Sequence, residues 1–432
     1  MSITIGFIGV GILLAMLMLR VPVAIAMIAV SFGGVTWMIG LTPALGIVSN
    51  TPFSFVASWT MSAVPLFVLM GFISYYSGLT GGLFLAAKAV FRKVPGALAI
   101  SSIFACSGFA AVCGSSMATA ASMGRMAIPE MVKSGYNPGF AAGAIAAGGT
   151  LGALIPPSIL MIVYGVFAET SVTKVFIGGI TMGVTTALSY CLVVLLVCWL
   201  RPDLVPRREK VDDVDTLEAV KQVWPVLLMM ALIFGGLFSG FFTATEAGAV
   251  GAAGSIVIAA MMGKLSWAVF RDSMRETLNT TASILIIGVG AAMFTRFLGL
   301  SGVSAFISQF ISGSDISYVQ LMTVIVIVYL ILGMFMEPFG AMMITLPVLL
   351  PVLKIQGVDL VFFGVLLVKL LEIGMLTPPV GMNVFVIRNV ASEHVTLAQA
   401  FKGVTTFIIA DLAVVVLAIA FPAFILWLPG LL

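Results

Sequence analysis

The sequence predicts an all-α polytopic membrane protein made of two inverted-topology repeats, each with a re-entrant helical hairpin and a helix broken by a Pro-Pro pair. Three observations carry this. The first is composition: 61% of the 432 residues are hydrophobic and 9% are charged, with a mean hydropathy of +1.22, whereas a soluble domain carries about 25% charged residues. The second is "GGTLGALIPPSILMIVYG", residues 148–165, which starts and ends as a membrane helix yet is cut by Pro156 and Pro157. That break returns as "LEIGMLTPPVGMNVFVI" around Pro378 and Pro379. The third is the placement of Lys and Arg, which favour cytoplasmic loops and so orient each half.

The repeat holds one register. Gly152, Leu154 and Pro156 fall on Gly374, Leu376 and Pro378 at an offset of 222, and Pro129 and Gly135 fall on Pro351 and Gly357 at the same offset. "SGLTG" at 77–81 meets "LGLSG" at 298–302 at an offset of 221. Repeat one, 1–200, reads as helices at about 3–19, 22–41 and 53–77, with the uncharged "LTPALGIVSNTP" between the last two as an outside loop. The first apolar run has no basic leader and reads as a retained helix rather than a signal peptide. Lys88, Arg92 and Lys93 then mark the inside, as do Arg201, Arg207, Arg208 and Lys210 in a cytoplasmic linker over 201–222. For both to share a side, the segment at about 96–133 must be a hairpin that enters and leaves on one face, its tip near "AAVCGSS". A broken helix at about 138–168 and a helix at about 175–200 complete five crossings, an odd number. Repeat two, 223–432, therefore runs upside down, with Lys264, Arg271 and Arg275 inside and the stretch 299–318, free of Lys and Arg, outside. Its hairpin falls at about 318–354, with the tip near "GMFMEPFG", and its broken helix at about 359–391. Both termini come out on the extracytoplasmic side.

The breaks predict the site. Backbone within a bilayer survives unwound only where it lines a protein-buried or watery cavity. Proline has no amide hydrogen, so each pair frees carbonyls one turn earlier, over Gly152, Ile155 and Pro156 in one half and Gly374 to Thr377 in the other. Carbonyls at the end of a half-helix carry partial negative charge and suit a small cation. The first hairpin arms end close by, at Ala110 and Ala111 and at Gly333, adding carbonyls. The second arms begin at Ser115 or Ser116 and at Pro338, pointing amide hydrogens toward an anion. Between the tips lies a substrate gap walled by Ser115, Ser116, Pro338, Phe339 and Gly340. Carbonyl and hydroxyl oxygens without an obligatory Asp, Glu or His relay favour a hard cation such as Na+ over a proton.

Single charges read more simply. Glu337 is expected to cap the arm that follows it, and Lys369 and Glu372, three apart, to pair with each other. Arg125 faces an acid substrate or anchors its arm, two readings the sequence leaves open. Glu246 follows Thr243 at capping-box spacing, His394 sits in a polar surface segment, and Asp411 has no reading. The four cysteines lack metal-ligand spacing and are expected to form no disulfides. The composition implies a lipid bilayer as partner, and a net charge of +3, with its bases at helix ends, implies no nucleic acid. No nucleophile and base come together around His394, and no polar rings recur, which disfavours an enzyme and a channel.

The motifs "GGTLGALIPPSILMIVYGVFAETSVTKVF", "GFFTATEAGAV" at 240–250 and "EPFGAMMITLPVLLP" resemble the large membrane subunit, DctM type, of the TRAP transporters, the tripartite ATP-independent periplasmic transporters. The resemblance covers essentially the whole chain. It implies sodium-driven uptake of an organic acid, whether C4-dicarboxylate, sialic acid or sugar acid, across the bacterial inner membrane. A periplasmic binding protein delivers the acid, and a small four-helix membrane subunit sits alongside, here expected as a separate chain. It implies an elevator mechanism, with hairpins and broken helices sliding as a block. "FTATEAG" departs from the more usual "FTPTEAA" and alters a helix start. The rival reading is a single-component divalent-anion or arsenite-type symporter.

Overall fold

The computed structural model describes residues 2–206, 216–314 and 316–431. The middle of the linker, with Arg207, Arg208 and Lys210, lies outside the described residues. The first half runs α1 (Ser2–Met18), α2 (Val23–Ile39), α3 (Leu41–Val56), α4 (Ala63–Tyr76), α5 (Gly81–Phe91), α6 (Ala97–Cys113), α7 (Ser116–Lys133), α8 (Pro138–Leu154), α9 (Ile159–Phe167) and α10 (Val172–Leu200). After α11 (Thr216–Lys221) come α12 (Trp224–Phe238), α13 (Ala244–Met261), α14 (Trp267–Ser301), α15 (Val303–Gly313), α16 (Tyr318–Phe335), α17 (Pro338–Ile355), α18 (Leu360–Gly374), α19 (Met382–Val390) and α20 (Leu397–Ala420). Among the described residues, seven helices are long and apolar enough to cross a membrane, or eight when α8 and α9, bent by 41° at their break, count as one. α1, α2 and α12 are apolar but only 15 to 17 residues long, short of the about 20 that span a bilayer upright.

Local chemistry explains where the helices start. Asn137 accepts from the amides of Gly139 and Phe140 to open α8, and Asp359 does the same for Val361 and Phe362 at α18. Thr243 and Glu246 close the expected capping box at α13, and Ser317 with Gln320 and Thr396 with Gln399 close two more. Each of these side chains satisfies an amide that the helix itself leaves orphaned. The 222-residue offset extends to the elements, taking Gly81 to Val303, Ser116 to Pro338 and Pro138 to Leu360 as helix starts.

Two stretches read as lying outside are largely helical. Residues 41–52 belong to α3, which begins directly after a sharp bend at Gly40, φ 96°. The stretch 299–318, free of Lys and Arg, holds the end of α14 and the whole of α15, hinged at left-handed Gly302. In α15, Val303, Phe306, Ile307, Phe310 and Ile311 recur at helical spacing, a signal that lack of charge had masked. Lys88, read only as marking the inside, is buried on α5 and paired with Glu130 of α7.

The helices pack as two groups. α1–α3 and α12–α14 lie together with α4. α6–α10 and α16–α20 form the second group, in which α8 packs on α6, α7 and α20. α8 and α20 cross where Gly143 meets Gly403, and a Cβ on Gly403 would lie 1.7 Å from the Gly139 carbonyl. Small residues at such crossings let helix backbones approach within a membrane.

Candidate functional site

The first helix-pair tip is built on one glycine. α6 ends at Cys113, Gly114 turns the chain with φ 64°, and Ser115 is extended as the N-cap of α7, accepting from the Ala118 amide. A Cβ on Gly114 would meet the Pro157 carbonyl at 2.4 Å, so the tip rests directly on the first break. There the Ile155 amide donates to Leu151. The two prolines have no amide to give, and among the described residues none donates to the carbonyls of Gly152 or Ala153. A Cβ on Gly152 would lie 2.7 Å from both the Ser115 carbonyl and the Thr119 hydroxyl oxygen. The Ala110 carbonyl accepts from Gly114 at 3.1 Å, and among the described residues no backbone amide reaches Ala111. Gly152, the Ser115 carbonyl and the Thr119 hydroxyl, which donates to that carbonyl at 2.8 Å, thus bring hard oxygens together beside the break. That donor chemistry fits a small hard cation, and Thr119 had no place in the sequence reading.

The second break is arranged differently. Its carbonyls are engaged: Ile373 accepts from Leu376, Gly374 from Thr377 at 3.1 Å, and Met375 from Asn383 at 3.1 Å. The Thr377 hydroxyl donates to the Ile373 carbonyl at 2.7 Å. Ser158 restarts the first broken helix as an N-cap, whereas left-handed Gly381 restarts the second. Pro156 and Pro157 are buried while Pro378 and Pro379 are exposed. Gly333 and Gly374 press backbone on backbone, and a Cβ on Gly374 would fall 2.5 Å from the Gly333 Cα. Both Pro-Pro bonds are cis.

A cavity of about 710 Å³ opens between the two tips. Ser115 and Ser116 line it from one tip and Pro338 and Phe339 from the other, while Gly340 is buried and does not line it. Glu337 stands at the N-cap of α17 and also lines the cavity; its carboxylate faces the amides of Phe339 and Gly340 without completing a cap hydrogen bond. The far wall comes from the other helix group, with Gly71, Phe72 and Tyr75 of α4 and Asn279, Thr280 and Ser283 of α14. Sequence reasoning missed that wall, although the polar run 279–283 inside an apolar helix was its signal.

Glu372 also lines the cavity. It is 1% exposed, and its Oε2 accepts a 2.6 Å hydrogen bond from the Ser116 hydroxyl. The expected Lys369–Glu372 pair does not form. Three residues apart on α18, the two side chains diverge around the helix: Glu372 turns to the first tip, while Lys369 turns to α20 and α10. There Lys369 pairs with Asp411 and donates to the Thr186 hydroxyl at 3.0 Å. The Tyr190 hydroxyl donates to Asp411 at 2.7 Å and lies 3.2 Å from the Thr150 hydroxyl. Lys369 and Asp411 are each 1% exposed. Arg125 and His394 are exposed, away from the cavity wall.

Comparison with known proteins follows the same outline. The pattern of the family described as "Tripartite ATP-independent periplasmic transporter, DctM component" matches residues 10–424. The C4-dicarboxylate TRAP transporter large permease protein DctM of Pseudomonas aeruginosa is 34% identical over 380 residues, covering 86% of each chain. The sialic acid TRAP transporter large permease protein SiaM of Vibrio cholerae is 30% identical, covering 87% of each. The isethionate TRAP transporter permease protein DctMQ of Oleidesulfovibrio alaskensis is 33% identical over 89% of this chain and 60% of its own length. Among solved structures, the Alcanivorax borkumensis YdaH transporter superposes with a TM-score of 0.62 at 13% identity, over 88% of this chain and 89% of its own. Neisseria gonorrhoeae MtrF does so with a TM-score of 0.60 at 16% identity, over 89% and 84%.

Proposed function

The chain belongs to this DctM family of tripartite ATP-independent periplasmic transporters, and from that premise we propose that it imports an organic acid through the cavity between the two tips, coupled to sodium. It is a multi-pass integral protein of the inner membrane, the large permease of its system, and its membership implies a small membrane subunit and a periplasmic binding protein as partners. We read the small subunit as a four-helix protein. The observation that supports the cavity as the site is its composition: two tips from separate halves of the chain, each opening a helix, meet across it. Amide hydrogens at the starts of α7 and α17, with the Ser115 hydroxyl, would hold a carboxylate, while the Ser116 hydroxyl stays on Glu372. Ala111, Gly152, Ser115 and Thr119 would hold a sodium ion behind the first tip, and Gly333, Gly374 and Thr377 a second behind the other. The bound cation offsets the charge of the acid.

In this reading the two halves are inverted repeats across the membrane. The group α6–α10 with α16–α20 moves as an elevator against α1–α4 and α12–α14. Reconstitution in vesicles with the cognate binding protein and small subunit tests it. Succinate, N-acetylneuraminate and isethionate are offered in turn under an inward sodium gradient. Sodium-dependent uptake of one of them is expected; uptake driven equally well by a proton gradient without sodium overturns the coupling.

A further inference from the structure

We propose that Glu372 selects the substrate, admitting an acid that carries an O–H or N–H donor at the end away from its carboxylate and rejecting a plain dicarboxylate. The inference rests on the cavity being the acid site, and narrows it to a class. Glu372 has one oxygen taken by Ser116, and its Oε1 is buried without a partner among the described residues. Glu372 is among the residues that line the cavity. An ionised carboxylate is acceptor-only, so with Glu372 ionised the group that completes it must donate.

The rest of the wall points the same way. Among the described residues the cavity has two carboxylates on its wall, Glu337 and Glu372, and no Lys, Arg or His. Lys369, one turn before Glu372, is committed to Asp411. A substrate with a second carboxylate would set negative charge against Glu372 and still leave Oε1 without a donor. A hydroxyl, amide or ammonium group satisfies that oxygen, and Asn279, Thr280 and Ser283 opposite offer it further partners. A buried acceptor left unpaired discriminates strongly, which is why sites built to bond a donor reject analogues that lack one.

Four acids of equal chain length isolate the effect: 4-hydroxybutyrate, 4-aminobutyrate, butyrate and succinate. Calorimetric titration of the full chain in lipid nanodiscs, with sodium present, measures each. Binding of 4-hydroxybutyrate or 4-aminobutyrate is expected to be tighter than that of butyrate and of succinate by on the order of tenfold or more. Glu372→Gln supplies an amide donor in place of one oxygen and should move the ratio toward succinate by about the same factor. Tighter binding of succinate by the unaltered chain overturns the proposal, as does an unchanged ratio in folded Glu372→Gln. In either case the cavity still binds an acid and the transport reading stands. Absence of heat with all four acids removes both the proposal and the cavity as the acid site.

Discussion

Ser116 serves two neighbours, its hydroxyl bonded to Glu372 and its amide at the mouth of α7. Ser116→Ala is expected to weaken substrate binding by the worth of one hydrogen bond, about 0.5 to 1.5 kcal/mol. Ser116→Phe should close the gap, and normal uptake by that variant would place the site elsewhere. The Lys369–Asp411 pair answers to a different measurement. Truncating one partner of a buried pair strands the other charge, so Asp411→Ala should destabilise the protein by about 3 to 5 kcal/mol, read as a lower unfolding temperature in detergent. Replacing both, as Lys369→Met with Asp411→Leu, should recover much of that loss. The serines at the tip were legible in the sequence because they follow a glycine and start a helix. The Lys369 partner was not: local spacing offers Glu372 three residues away, and only the packing of α18 on α20 brings Asp411 within reach. Asp411 had no reading for the same reason.

At the scale of elements, the broken helices were written plainly, since paired prolines at one offset leave the backbone few alternatives. What the sequence did not disclose is that the two breaks differ. Among the described residues no amide donates to the Gly152 and Ala153 carbonyls of the first, whereas the second folds into turns that use its carbonyls. The contrast gives a prediction: Thr119→Ala should raise the sodium concentration for half-maximal uptake, with Thr119→Ser restoring it, while unfolding temperature stays close to that of the parent. Equal sodium dependence in parent and Thr119→Ala would empty the first break of its role. The α8–α20 crossing gives another. Gly403→Ala puts a methyl into the Gly139 backbone and should cost about 1 to 3 kcal/mol by overpacking, detected as lost thermal stability. The helices α3 and α15 escaped the sequence reading because absence of charge is compatible with both loop and helix, and only apolar spacing separates them.

For the whole molecule, the inverted arrangement proposed above would place the linker in the cytoplasm. Asp203→Cys, in a background without the four native cysteines, is expected to resist an impermeant thiol reagent added from the periplasmic side and to react once the membrane is opened. Labelling from outside would overturn the orientation. The all-helical membrane plan and its two broken helices were readable from composition and the paired prolines, but the grouping of helices was not, because long-range packing leaves no local trace. That grouping carries a consequence. The cavity has one wall on each group: the tips and Glu372 on one, Tyr75, Asn279, Thr280 and Ser283 on the other. If the groups slide, the acid travels with the tips and leaves the polar wall of α14 behind. Its grip is then loosened by the journey itself, like a passenger handed aboard who must let go of the platform rail. Unloading would need no separate trigger at the far side.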